Sequence, residues 1–138
     1  MKRIRLLILL GMVAVALPLG LLQGVAKATG SSGTSVSISP TADFNTFGGQ
    51  LDVQLFVRCT GGSGTAEVTV TQTTPDSGDP DAMGIGSNPA VVCDGQTHSV
   101  GVTVTGGLFD PGKAYAIADA GPLGRQAHAE RWINIFVH

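Results

Sequence analysis

Charge is scarce in this chain and aromatic side chains scarcer: 13% of residues are Asp, Glu, Lys or Arg, and 5% are Phe, Trp or Tyr. There are two cysteines, one Trp and one Tyr. Without a Cys-x-x-Cys pair, zinc-ribbon and dithiol redox chemistry have no ligand set. Basic residues are few and badly distributed, since Lys2, Arg3, Arg5 and Lys27 crowd the first 27 positions. Beyond Ala28, Arg58, Lys113, Arg125 and Arg131 face all ten carboxylates, a formal charge of −6. A surface of that sign does not neutralise phosphates, which excludes nucleic acid as the partner. It also excludes a basic membrane-surface patch. No glycine pattern for a dinucleotide or a P-loop occurs. Gly61-Gly62-Ser63-Gly64-Thr65 lacks the last glycine of a serine nucleophile elbow and leads into no helix, so it reads as a turn.

One long hydrophobic run exists, at the very start. Met1-Lys2-Arg3-Ile4-Arg5 is a short positive segment, Leu6 to Leu22 is uncharged and apolar, and Ala26-Lys27-Ala28 is a small-x-small site. This order predicts a helical secretory signal over residues 1–28, cleaved after Ala28. The apolar run is at the lower limit of a membrane span and is broken by Pro18. The expected product is a secreted, extracellular protein with no stable membrane association after cleavage. Residues 29–34 are Gly/Ser-rich and read as a flexible lead-in, which leaves 35–138 for one domain. In an oxidising compartment, Cys59 and Cys93 are expected to form a structural disulfide.

From Ser35 onward, alternation with period two dominates. Val36 and Ile38 share a face in a first strand, Ser35 to Ser39, which Pro40 is expected to end or to mark as an edge. Leu51, Val53, Leu55, Val57 and Cys59 share another, with Phe56 on the opposite side. A turn is expected at Thr60 to Gly64, then a strand through Ala66, Val68 and Val70. Thr73 to Pro89 reads as the longest loop, with one short edge strand near Met83 to Gly86. Asp94-Gly95 is a two-residue hairpin signal, followed by Val100, Val102 and Val104 in alternation. Lys113 to Asp119 and Ala127 to Val137 supply the last strands. Seven or eight short strands joined by Gly/Pro turns predict an all-β, antiparallel sandwich whose disulfide ties the two sheets.

Two stretches carry a resemblance. Val91-Val92-Cys93-Asp94-Gly95-Gln96-Thr97-His98-Ser99-Val100 with Val102 and Val104, and Phe109-Asp110-Pro111-Gly112-Lys113-Ala114-Tyr115-Ala116, resemble small secreted immunoglobulin-like proteins of high-GC Gram-positive bacteria. Over roughly Leu51 to Ala120 the likeness lies in turns and core positions. It implies fold and export, and carries no catalytic residue. The antibody-type Trp between the cysteines is missing, and Val91 stands where a tyrosine corner would place Tyr.

Candidate sites are few. Asp76, Asp79 and Asp81 are the one local concentration of oxygen ligands, in a Pro/Gly loop that suits calcium by composition but not by EF-hand spacing. The expectation is a solvated acidic loop, and no metal or cofactor. His98, His128 and His138 have no spacing that assembles them. A lone Trp in a small sandwich is most often core or rim, so Trp132 is expected there, with an exposed contact as the alternative. Phe56 is a second candidate contact. No convergent set of titratable groups is legible, so no enzyme is expected. The function expected is that of a monomeric, non-catalytic module binding a protein, a surface polymer or a small ligand. The alternative is a carrier resembling neocarzinostatin-type sandwiches, which would need an apolar pocket of a few hundred Å³.

Overall fold

The structure, a computed structural model, describes residues 33–73 and 80–138. The expected signal segment, most of the lead-in, Asp76 and Asp79 lie outside the described residues. The rest is all-β: β1 (Ser35–Asn45), β2 (Gln50–Thr73), β3 (Pro80–Val104), β4 (Gly112–Gly121) and β5 (Ala127–Val137). The sheet runs β1-β5-β4-β2-β3, and β1 also pairs with β2, so four strands close a ring with β3 alongside β2. All pairings are antiparallel except β1 with β5, which is parallel. That pairing corrects the expectation of a purely antiparallel arrangement.

The strands are five and long where seven or eight short ones were expected. Turn-forming residues were absorbed into strands as bulges. The expected turn Thr60 to Gly64 and the expected hairpin at Asp94-Gly95 face each other across one continuous β2–β3 hairpin, where the register shifts. Gly61, Gly62 and Gly95 adopt positive φ there. An extra residue with positive φ bends a strand without ending it. Of the expected long loop, Pro80 to Pro89 is likewise the first part of β3, paired with β2 from Thr73↔Pro80 to Ala66↔Asn88, and residues 74–79 lie outside the described residues. Pro40 does not end β1 either. It sits in the irregularity between Ile38 and Ala42, where a missing N–H is tolerated, and the strand continues to Asn45.

The bend splits the β2–β3 hairpin into two halves. The first half of β2 lies between β1 and the second half of β3, and the second half of β2 lies between β4 and the first half of β3. Each strand turns alternate residues into one shared cluster that includes Ile38, Leu51, Leu55, Val68, Val102 and Ile133, all 2% exposed or less. Burying each such aliphatic side chain is worth roughly 2 kcal/mol. Ala114, Ala116, Ala118 and Ala120 fill the same face of β4, where their small side chains leave room for the larger aliphatics. The two halves of β3 approach closely: a Cβ at Gly86 would lie 2.2 Å from the Thr103 carbonyl oxygen, so only glycine fits.

Cys59 and Cys93 form the disulfide, buried, with Cα atoms 4.5 Å apart. Both cysteines belong to neighbouring strands at the bulged bend. The bond therefore pins the corner of one hairpin, where two facing sheets had been expected to be tied. Where β1 and β5 part, Arg131 Nη1 donates to the Ile38 carbonyl at 3.1 Å and bridges the seam. Among the described residues no helix is long and apolar enough to cross a membrane.

Candidate binding face

The residues of β3, β2, β4 and β5 that turn away from the core line up in rows because the registers interlock. Thr71 is opposite Met83 on one side and Tyr115 on the other, and Tyr115 is opposite Trp132. The next row reads Ile85, Thr69, Ile117 and Glu130. The third reads Ser87, Glu67, Asp119 and His128. Trp132 is 62% exposed, Met83 52% and Ile85 49%. The core-or-rim expectation for Trp132 is thereby corrected. Ile133 and Ile135 take the inward positions of β5, and alternation turns Trp132 out. Its ring lies 5.1 Å from that of Tyr115, centroid to centroid, tilted by 60°.

Beside this apolar pair runs a hydrogen-bonded polar chain. Tyr115 Oη donates to Glu130 Oε2 at 2.5 Å. His128 Nε2 lies 3.0 Å from Glu130 Oε1, and Nδ1 lies 2.8 Å from Asp119 Oδ1. Both contacts can be donated only by the imidazolium. Glu130 first and Asp119 second therefore raise the His128 pKa above its ordinary value, with burial pulling the other way. Glu130 also raises that of Tyr115, because ionising the phenol would forfeit the donated hydrogen bond. An imidazole engaged by carboxylates at both nitrogens has none left to accept a substrate proton. The chain holds charge in place and is unsuited to general-base work.

The remaining candidates scatter. Phe56 is exposed as expected from the alternation, between Ser37 of β1 and Ser99 of β3. It belongs to the half of the hairpin that pairs with β1, so the fold does not bring it together with Trp132. Asp81 is exposed on β3, on the same side as Met83. Asp76 and Asp79 fall outside the described residues, and among the described residues no group of three His, Cys, Asp or Glu is placed to hold a metal ion. His98 Nε2 meets Asp94 Oδ1 at 2.7 Å at the bend, and His138 meets Asp43 at 3.2 Å. The Asp94 pKa is lowered, by the Gln96 backbone N–H first and then by His98. Below the apolar rows, Glu67, Ser87, Asn88, Asp119 and Gln126 line an open groove of about 420 Å³.

Alternation with the buried Ile133 turns His128 outward, but no spacing in the sequence revealed its partners. The local signal was His128-x-Glu130-x-Trp132, three outward positions in succession. The rest of the chain comes from β4, and only the β4–β5 register sets Asp119 opposite His128 and Tyr115 opposite Trp132. No protein-family model matches this chain, and no curated protein matches it.

Proposed function

We propose that this protein is a small exported, non-catalytic, immunoglobulin-like binding module that uses the outer face of β3–β2–β4–β5. The observation that carries this reading is Trp132, 62% exposed beside Tyr115, on a continuous sheet face that also carries Ile117 and, beyond Thr71 and Thr69, the exposed Met83 and Ile85. Large apolar side chains gathered on an exposed face are the mark of an interaction surface. The immunoglobulin-like assignment rests on segment order. β1, the first half of β2 and the second half of β3 form one group, and β5, β4, the second half of β2 and the first half of β3 form the other. That makes seven segments from five strands, the count expected of such a sandwich. Export rests on the amino-terminal sequence, and the disulfide agrees with an oxidising destination. The carrier alternative calls for an enclosed apolar pocket and gains no support from the grooves, which are open and mix polar with apolar lining, as Glu67 and Asp119 do with Leu123.

The test is retention. Immobilised wild-type protein is expected to retain a component of the extracellular milieu, whether protein, polymer or small molecule. Trp132→Ser protein with an unchanged melting curve should release it. Equal retention by both would remove this face from the function.

A further inference from the structure

The proposed binding face carries two chemistries side by side. Met83, Ile85, Ile117, Tyr115 and Trp132 give it an apolar and aromatic floor. Asp81, Glu67, Asp119 and Glu130 give it four carboxylates, against Lys113 and His128 as the basic groups on the same side. Resting on the reading of this face as the binding surface, we infer that its occupant is a basic segment of a partner protein. Its Lys or Arg side chains would lie over the rings of Trp132 and Tyr115 and reach the carboxylates, while its apolar side chains cover Met83 and Ile85. Cations are attracted to the faces of Trp and Tyr. An acidic rim steers and orients a basic ligand.

Two other occupants fit the face less well. A sugar polymer stacks best on coplanar rings, but Tyr115 and Trp132 are tilted by 60°, and the floor around them is aliphatic. A second copy of the chain would set one acidic face against another.

The His128 contacts add a signature. His128 faces Asp119 on β4 and Glu130 on its own strand. Glu67 of β2 is the next carboxylate in its row, opposite Asp119. Tyr115 of β4 binds the same Glu130. When the imidazolium loses its proton, the face gains one unit of negative charge, so a basic partner binds more tightly as pH rises through that titration.

Trp132 is the only Trp in the chain, so its fluorescence reports directly on this face. The probes are an eight-residue peptide alternating Arg and Ile, its Glu/Ile counterpart, and a neutral hexasaccharide of β-linked glucose. The Arg/Ile peptide is expected to give a saturable change that weakens with added salt and tightens from pH 5.5 to 8.5. Glu67→Gln/Glu130→Gln should bind it at least about tenfold more weakly. Lys113→Glu, at an exposed position, should bind it more tightly and keeps the test decisive if the double variant folds poorly. An equal response to the Glu/Ile peptide, a response to the hexasaccharide alone, or a change that follows only the protein's own concentration would each overturn the basic partner. Silence with every probe overturns it as well. The Trp132→Ser retention experiment then separates a wrong partner class from a wrong face.

Discussion

At the scale of single residues, His128 shows how a fold can select a protonation state. Its two nitrogens meet carboxylates of two different strands, which favours the charged ring. A histidine whose folded pKa is raised contributes stability that is complete below its unfolded pKa, near 6.5. That contribution is lost as pH rises through the folded value. Wild type is therefore expected to melt above His128→Gln by a larger margin at pH 5.5 than at pH 8.5, as read by circular dichroism. A margin independent of pH would mean that the carboxylate contacts do not form in solution. Asp94 has the opposite sign. Its lowered pKa contributes stability above the ordinary carboxylate range, lost as pH falls through the folded value. Core and surface positions differ as sharply. Val102 is 1% exposed, whereas the Thr103 hydroxyl donates to Asp52 on the surface at 2.9 Å. Val102→Asp buries a charge without a partner and is expected to prevent folding, while Thr103→Asp should fold at a small cost from its proximity to Asp52.

At the scale of elements, the bent β2–β3 hairpin organises the molecule. Its bend needs the glycines of the bulges, and its two halves need small residues where backbone meets backbone. Gly86→Ala is expected to lower stability by about 2 kcal/mol or more, because its Cβ would meet the Thr103 carbonyl at 2.2 Å. Gly101→Ala has open space around its Cβ and should be nearly neutral. Urea unfolding of both variants checks the contrast, and equal effects would argue against the close packing of the β3 halves. The disulfide guards the same bend. Its sequence separation of 34 implies roughly 4 kcal/mol from restricting the unfolded chain. Cys59→Ala/Cys93→Ala is therefore expected to melt at least about 10 °C lower by calorimetry. The bend also explains why local reasoning found too many strands. Gly-rich segments and Asp94-Gly95 have the composition of chain reversals, and the same positive φ serves a bulge when both flanks remain paired.

At the scale of the whole molecule, the charge balance and the proposed export are linked. Residues 1–28, read from the sequence as a signal, hold four of the eight basic residues, so cleavage after Ala28 would leave an acidic protein. Protein recovered from culture medium is expected to begin at Thr29 and to be lighter by the two hydrogens lost in the disulfide. Intact-mass measurement before and after reduction decides both points, and a full-length mass confined to the membrane fraction would refute the cleavage.

What the sequence determined by itself was whatever depends on near neighbours. Alternation assigned the buried faces of β2 and of the second half of β3, because a strand sends successive side chains to opposite sides wherever it runs. The two cysteines of the chain had each other as the one possible disulfide partner within it. The tertiary structure alone decided which turn signals reverse the chain, that β1 joins β5 in parallel, and that Trp132, Tyr115, Glu130, His128 and Asp119 share one surface. These outcomes depend on register between strands distant in sequence. Register is set by the packing of the whole core, and no short window of residues contains it.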